Sequence, residues 1–191
     1  QITLLFGGDI MAHTVNYQIT DYEKIWKEIT PLVQKSDLAF ANIEAPIDTT
    51  KKHSSYPNFN MTYNYVNAAV KAGFNVFSLC NNHTNDQGLT GIQETAKTTK
   101  ALQTEAKNNQ KEIYFSGIKN SPRDKHSYNL IEKNGWKILF LPITELLNRP
   151  DFSDYINYSK PTVEQRQILI DYCKELKVKT KCDLFIFSLH T

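Results

Sequence analysis

Strand and helix signals alternate along the whole chain, and this alternation limits the fold more than any other feature of the sequence. Short runs of β-branched and aromatic residues recur between segments whose apolar residues return every three or four positions. Such alternation is typical of parallel strands joined by helical crossovers. The predicted strands cover residues 2–6, 38–42, 75–80, 113–115, 128–132, 136–141 and 183–189, and the predicted helices cover residues 21–35, 64–72, 89–107 and 161–177.

Turn and proline positions refine this prediction. Asn134 and Gly135 lie between two neighbouring strands, and Asn-Gly is the strongest short signal for a β-hairpin. Pro31 weakens the last turns of the first helix, whereas Pro161 suits the first position of the last helix. The sequence therefore predicts one α/β domain over residues 1–191, with a mainly parallel sheet flanked by helices and an antiparallel addition.

Charge and composition argue against several functional classes. The chain has 22 Lys and Arg against 20 Asp and Glu, and this net charge of +2 does not favour a nucleic-acid-binding surface. The lysines are scattered along the sequence, so we interpret them as a solvated face. No segment approaches the roughly 18 apolar residues of a membrane span. None of Cys80, Cys173 and Cys182 stands in a C-x-x-C pair, which argues against a cysteine-based zinc site. A bridge between Cys173 and Cys182 stays open.

Polar side chains follow four of the predicted strands, at the point where each strand ends. In open α/β sheets, ligands bind beyond the carboxyl ends of the strands. Carboxylates, amides and imidazoles are the ligand types of metals such as Mn²⁺, Zn²⁺ and Fe. The strand-end residues are Asp9 with His13, Asn42 with Glu44, the run from Asn81 to Asp86, and His190.

Each of these residues has an ordinary structural explanation when it is considered alone. Asp9 could cap a helix, Glu44 could be a surface loop residue, and His190 could be exposed and idle. Agreement among four strand ends favours a shared site, where two metal ions roughly 3.5–4 Å apart could hold a phosphoester and an attacking hydroxide. His53 and His126 lie in polar segments outside this pattern, and we interpret both as solvated.

The order of these residues resembles a known family. The segments that carry the resemblance are, in chain order, Gly8-Asp9-Ile10-Met11, Asn42-Ile43-Glu44-Ala45-Pro46, Asn81-Asn82-His83-Thr84-Asn85-Asp86-Gln87-Gly88 and Ser188-Leu189-His190. They resemble the bacterial capsule-synthesis CapA family, which is linked to poly-γ-glutamate capsule and is similar in fold to calcineurin-like metallophosphoesterases. The resemblance covers essentially the whole chain.

The resemblance implies a role for each matching residue. The cofactor would be one or two divalent ions of Mn, Zn or Fe. His83 would act as the acid or transition-state stabiliser, and Asp86 would orient it. Metallophosphoesterases usually place a histidine two residues after the first aspartate, where this chain has Met11, so the nearby His13 is a further candidate. The implied metal ligands are Asp9, Glu44 as the bridging carboxylate, Asn82, His190 and His13.

The chain also departs from the family pattern. The family usually continues its later histidine with Trp-Gly, whereas Thr191 follows His190 here. A further His-rich motif of the family has no counterpart in the sequence. We therefore expect a metallophosphoesterase-like domain that lacks its C-terminal part.

The first functional hypothesis is a capsule biosynthesis protein that acts as a metal-dependent, phosphoesterase-like hydrolase. The alternative is a non-catalytic envelope protein that binds or retains an anionic capsule polymer, and a third is a structural domain whose polar loops cap helices. The implied partners are an anionic polymer or phosphoester substrate and other capsule-synthesis proteins, with no nucleic acid. The implied location is the extracellular face of the membrane, through an anchor upstream of Gln1.

Overall fold

The computed structural model describes residues 1–191 and contains two β-sheets, each covered by helices on its outer face. The strands are β1 (Leu4–Ile10), β2 (Leu38–Ile43), β3 (Val76–Ser78), β4 (Tyr114–Ser116), β5 (Asn129–Lys133), β6 (Trp136–Thr144) and β7 (Leu184–His190). The helices are α1 (Thr14–Tyr17), α2 (Glu23–Trp26), α3 (Thr30–Val33), α4 (Tyr63–Ala72), α5 (Gly88–Asn108) and α6 (Val163–Thr180).

The first sheet is parallel throughout and has the strand order β1-β2-β3-β4. Helices α4 and α5 connect its later strands, because parallel neighbours need a crossover connection. Val66 of α4 and Leu102 of α5 pack with Phe77 of β3 in the largest apolar core. The structure thus confirms the predicted α/β class and the parallel sheet flanked by helices.

The second sheet is arranged differently from the prediction. The sequence predicts the hairpin β5–β6 as an addition to the parallel sheet, whereas the structure pairs it with β7 in a separate sheet of order β5-β6-β7. The two sheets pack face to face, because β2 and β6 are apolar on both faces and each needs two covering layers. The contact between the sheets consists of Leu38, Phe40 and Val76 on one side and Ile131, Ile138 and Phe140 on the other.

Two predicted helices begin or end elsewhere. The helix predicted over 21–35 is broken into the single turns α2 and α3, because Pro31 at the start of α3 has no N–H and its ring excludes a continuous helix. Helix α6 begins at Val163, and Thr162 is its N-cap, with Oγ1 accepting a hydrogen bond from the Gln165 N–H at 3.2 Å. Pro161 therefore precedes the cap instead of opening the helix.

The irregular segment after β6 is held in place by the buried side chain of Asn157. Its Nδ2 donates to the carbonyl oxygens of Ser127 and Pro142 at 2.7 and 2.8 Å. Its Oδ1 accepts from the Ser127 N–H at 2.8 Å. These bonds fix residues 145–160 against β6, although the segment has only one short 3-10 turn of its own.

None of the helices combines the length and apolar character that a bilayer crossing requires. All three cysteines are free thiols. Cys173 and Cys182, for which the sequence left a bridge open, pack in the core between α6 and the second sheet.

The two histidines expected to be solvated are both packed against other groups. The ring of His53 stacks on Tyr17 with centroids 3.6 Å apart, and its Nε2 donates to the Ala12 carbonyl oxygen at 2.7 Å. His126 packs edge-on against Tyr172, and its buried Nδ1 has no hydrogen-bond partner. Burial and the nearby charge of Lys119 lower the pKa of His126 to about 4.

Protonation of His126 should therefore destabilise the fold. In the unfolded chain its pKa is about 6.5, so the unfolded state binds more protons between the two values and stability falls as the pH falls from 6.5 towards 4. We expect the free energy of unfolding to fall by about 1–2 kcal/mol more in the wild type than in His126→Gln between pH 7 and pH 5. Urea denaturation at both pH values measures the difference. Equal losses in the two proteins would contradict the prediction, and His126→Asn serves as a second variant.

Candidate functional site

The double glycine before Asp9 sets the position of this carboxylate. The pairing of β1 with β2 shifts register between Phe6 and Asp9, which places Asp9 opposite Asn42. A β-carbon at Gly7 would lie 2.9 Å from a ring carbon of Phe74, so the bulge accepts no side chain there. The shift therefore brings Asp9 to the carboxyl edge of the sheet, where it is exposed.

Two asparagines connect the strand ends at this edge through side-chain hydrogen bonds. Asn42 Nδ2 donates to Asp9 Oδ1 at 2.8 Å, and Asn42 Oδ1 accepts from Asn81 Nδ2 at 3.1 Å. The fully buried Asn81 also donates to the Ile43 carbonyl oxygen at 2.7 Å. These bonds connect the ends of β1 and β2 to the loop after β3 without adding charge.

The loop after β3 presents His83 with its ring orientation fixed. Asp86 Oδ2 lies 2.7 Å from His83 Nδ1 and also accepts the Phe59 N–H at 2.8 Å. Because a carboxylate only accepts, Nδ1 carries the proton and Nε2 is free for chemistry. The expected orienting role of Asp86 thus has a geometric basis, and both side chains are largely buried.

Glu44 and Asp9 form a pair of crowded carboxyl groups. Burial, hydrogen bonding to Asp9 and the charge of Asp9 raise the pKa of Glu44 to about 7. No lysine or arginine forms an ion pair with either group, and the one group at ion-pair distance from Glu44 is His190, with Nε2 3.8 Å from Oε1. The two carboxyl groups therefore create a region of negative potential, and His190 is the one group at ion-pair distance that could balance it.

His190 reaches this edge from the second sheet. It lies at the end of β7, and its Nε2 donates to Asn82 Oδ1 at 2.8 Å. Burial lowers the pKa of His190, although the charge of Asp9 acts in the opposite direction. Asp9 and His190 both line a cavity of about 220 Å³ that opens between the two sheets.

His13 lies apart from the other candidates. It is exposed, and no hydrogen bond or ion pair connects it to the predicted metal ligands. Its ring packs edge-on against Phe59 at a centroid distance of 4.9 Å, and His83 contacts the same ring at 4.8 Å. The structure therefore brings the other predicted site residues together around one edge and leaves His13 at the rim.

Two residues outside the predicted set contact the site. Asn148 Oδ1 accepts from Asn82 Nδ2 at 3.2 Å. Asn148 Nδ2 also contacts the His83 ring, 3.1 Å from Nδ1 and 3.4 Å from Nε2, and it does not donate to Nδ1, whose proton is directed at Asp86. Arg149 donates to the Asp86 carbonyl oxygen at 3.5 Å. Both lie in the segment after β6, between the predicted strand over 136–141 and the predicted helix over 161–177. No local motif marks them, because their place depends on how the two sheets pack.

The chemistry of this donor set suits a divalent cation. It offers two carboxylates, one amide oxygen and one imidazole, and a cation would relieve the repulsion between Asp9 and Glu44. No three His, Cys, Asp or Glu side chains converge at metal-ligand spacing in this structure. The four groups are neighbours around one edge of the sheet. Their side chains would have to move closer together to bind the same ion.

Comparisons with known proteins agree with this architecture. A family model described as bacterial capsule synthesis protein PGA_cap matches residues 3–191. The capsule biosynthesis protein CapA of Bacillus anthracis is 31% identical over 110 residues, which are 52% of this chain and 26% of that protein. The match thus spans about a quarter of the length of this relative.

Two solved structures share the fold. A hypothetical protein from Thermus thermophilus superposes with a TM-score of 0.55 at 16% identity, covering 99% of this chain and 57% of the other. A candidate 5'-nucleotidase from Staphylococcus aureus, solved in complex with α-ketoglutarate, superposes with a TM-score of 0.54 at 11% identity. This match covers 99% of this chain and 37% of the other. At these identities the likeness concerns the fold alone.

The Asp86 contact predicts the tautomer of His83. Neutral His83 should carry its proton on Nδ1, and Asp86→Ala should release the ring into a mixture of tautomers, because the acceptor that holds the proton is lost. Long-range ¹H–¹⁵N NMR spectra of the imidazoles measure this directly. The signals of His53 should stay unchanged and serve as the internal control. An unchanged His83 tautomer in the variant would contradict the assignment.

Proposed function

The chain belongs to the bacterial capsule synthesis protein PGA_cap family, and on that premise we propose that it acts in capsule biosynthesis as a metal-dependent hydrolase of phosphoester-like bonds. The capsule polymer in this proposal is poly-γ-glutamate, because the motifs resemble the CapA family that is linked to it. The proposed place of action is the cell envelope, at the extracellular face of the membrane.

One observation carries the proposal. Asp9, Glu44, Asn82 and His190 come from four separate strand ends and meet at one edge of the sheet. His83 stands beside them, with Asp86 on its Nδ1. Polar groups that only capped helices or turns would have no reason to leave two carboxylates crowded together without a lysine or arginine.

In the proposed site, Asp9, Glu44, Asn82 and His190 hold the cation, and His13 remains a candidate from the rim. A bound divalent cation would supply Lewis-acid polarisation of the phosphoryl oxygen and an acidified water. The number of ions and the choice among Mn, Zn and Fe belong to the proposal as well. Asn42 donates to only one of the two oxygens of Asp9.

His83 serves the leaving group in this proposal. Hydroxide, formed from a water that has released one proton to solvent, forms a bond to phosphorus while the bond to the leaving oxygen breaks, and Nε2 of the protonated His83 donates its proton to that oxygen. Asp86 stabilises the imidazolium and holds the ring in place. Burial of both side chains keeps water from competing for the proton.

Two substitutions separate metal binding from proton transfer. With Mn²⁺, Zn²⁺ and Fe²⁺ tested in turn, the wild type should bind a cation by isothermal titration calorimetry and should hydrolyse bis(p-nitrophenyl) phosphate. Asp9→Asn should lose both properties, because the first carboxylate is gone. His83→Gln should keep the cation affinity and lose about 10²–10⁴-fold in rate, the usual contribution of a general acid.

The exposed Asp21→Asn is the control for Asp9→Asn, and circular dichroism confirms that each variant is folded. Full cation affinity in Asp9→Asn would show that Asp9 is not a metal ligand. Full hydrolysis by His83→Gln would remove its role as the acid. A wild type that binds a cation without hydrolysing any phosphoester would favour the second candidate function.

That second candidate, binding of an anionic capsule polymer, is favoured by a cleft at the opposite end of the first sheet. The cleft has a volume of about 810 Å³ and includes Asp37 and Glu112. The carboxylate of Asp37 already accepts bonds from the Thr3 N–H and from Asn134. Four lysines from three separate segments of the chain also line it, namely Lys71, Lys107, Lys111 and Lys133. The scattered lysines of the sequence are thus partly gathered by the fold.

Charge reversal in this cleft tests polymer binding. The double variant Lys107→Glu with Lys111→Glu should weaken binding of fluorescent poly-γ-glutamate about tenfold at low salt, because attraction becomes repulsion. Lys177→Glu with Lys179→Glu makes the same charge change at the end of α6 and should have little effect. Fluorescence anisotropy measures both. Equal weakening by the two double variants would indicate a general charge effect and no site in the cleft.

A further inference from the structure

The side-chain amide of Asn82 has two hydrogen bonds that fix which of its atoms faces the site. Its Oδ1 accepts from His190 Nε2 at 2.8 Å, and its Nδ2 donates to Asn148 Oδ1 at 3.2 Å. The oxygen therefore faces His190, and the NH₂ group faces the segment after β6. An amide rotated by 180° would fit the same space but would direct the NH₂ group towards His190.

This orientation decides whether Asn82 can be a ligand. Only the amide oxygen binds a cation, whereas an NH₂ group directed at the same place would repel it. His190 alone cannot enforce the orientation, because its Nε2 no longer donates once the imidazole ring binds a cation through that atom or loses the proton there. The Asn148 acceptor on the far side does not depend on the proton or the ligation of His190.

Asn148 is itself held rigidly. Its backbone N–H donates to the Asn82 carbonyl oxygen at 3.0 Å, so the two residues are joined through main chain and side chain. The buried Asn85 donates to the carbonyl oxygens of Arg149 and Asp151 at 2.8 and 2.6 Å. The segment 146–152 is thereby tied at several points to the loop that carries Asn82 and His83.

We propose that Asn148 is a positioning residue that holds the Asn82 amide with its oxygen towards the cation site. This inference rests on the proposed function, because it needs Asn82 to be a ligand. Asn148 follows a strand of the second sheet and Asn82 follows a strand of the first, so the cation affinity depends on a contact between the two layers.

The affinity for Mn²⁺ alone, measured by isothermal titration calorimetry, tests the inference. Asn148→Ala should bind Mn²⁺ about 10–100-fold more weakly, as is usual when the group that orients a ligand is lost. Asn148→Asp should retain most of the affinity, because its carboxylate still accepts from Asn82 Nδ2. Leu146→Asp adds the same negative charge on the same segment but makes no contact with the Asn82 amide. Its Mn²⁺ affinity therefore shows how much of any change in Asn148→Asp comes from charge alone.

A second experiment, in the Asn82→Asp variant, distinguishes a role of Asn148 in orienting the amide from a general role in supporting the loop after β3. In Asn82→Asp both terminal atoms are oxygens, so rotation of the side chain no longer matters. Adding Asn148→Ala to this background should change the Mn²⁺ affinity by less than about threefold, whereas a loop-support role predicts the same loss in both backgrounds. Thermal melting of each variant confirms that it is folded.

The outcomes separate the two proposals. Equal Mn²⁺ affinity in the wild type and Asn148→Ala overturns this inference and leaves the proposed metal site intact. An equal loss in both backgrounds also overturns it. A folded wild type that binds none of the tested cations overturns the proposed site and the inference together.

Discussion

The apolar contact between the two sheets sets the position of the groups at the candidate site. Leu38 and Phe40 of β2 face Ile138 and Phe140 of β6 across this contact, and the side chains are almost completely buried. Burial of side chains of this size contributes about 1.5–3 kcal/mol each, so the relative placement of the layers is strongly determined. With the layers fixed, the end of β7 brings His190 to the carboxyl edge of the first sheet.

Asparagines organise that edge. Asn42, Asn81, Asn85 and Asn157 each connect two or more chain segments through side-chain hydrogen bonds. An amide offers both a donor and an acceptor, so it can satisfy buried backbone groups in an irregular loop. It also adds no charge, which matters beside carboxylates that already repel one another. A lysine in these places would neutralise the site, and another carboxylate would worsen the crowding.

The first sheet has different electrostatic character at its two ends. The carboxyl edge collects Asp9, Glu44 and Asp86, whereas the cleft at the amino edge is lined by four lysines. The helix C-termini also point to the amino edge, where basic side chains interact favourably with the helix dipole. The two proposed binding regions therefore lie at opposite ends of one domain.

The sequence by itself determined the α/β class, the parallel first strands and the short loop that holds both His83 and Asp86, because periodicity, glycines and strand-end polar residues are local features. Only the tertiary structure decided that β5, β6 and β7 form their own sheet, that Nδ1 of His126 is buried without a partner, and that Asn148 contacts Asn82. The sequence of a strand that is apolar on both faces does not indicate which layer covers each face. A loop residue 66 positions away gives no local signal of a contact. Such contacts depend on the packing of the layers, whose free energy is summed over many apolar side chains.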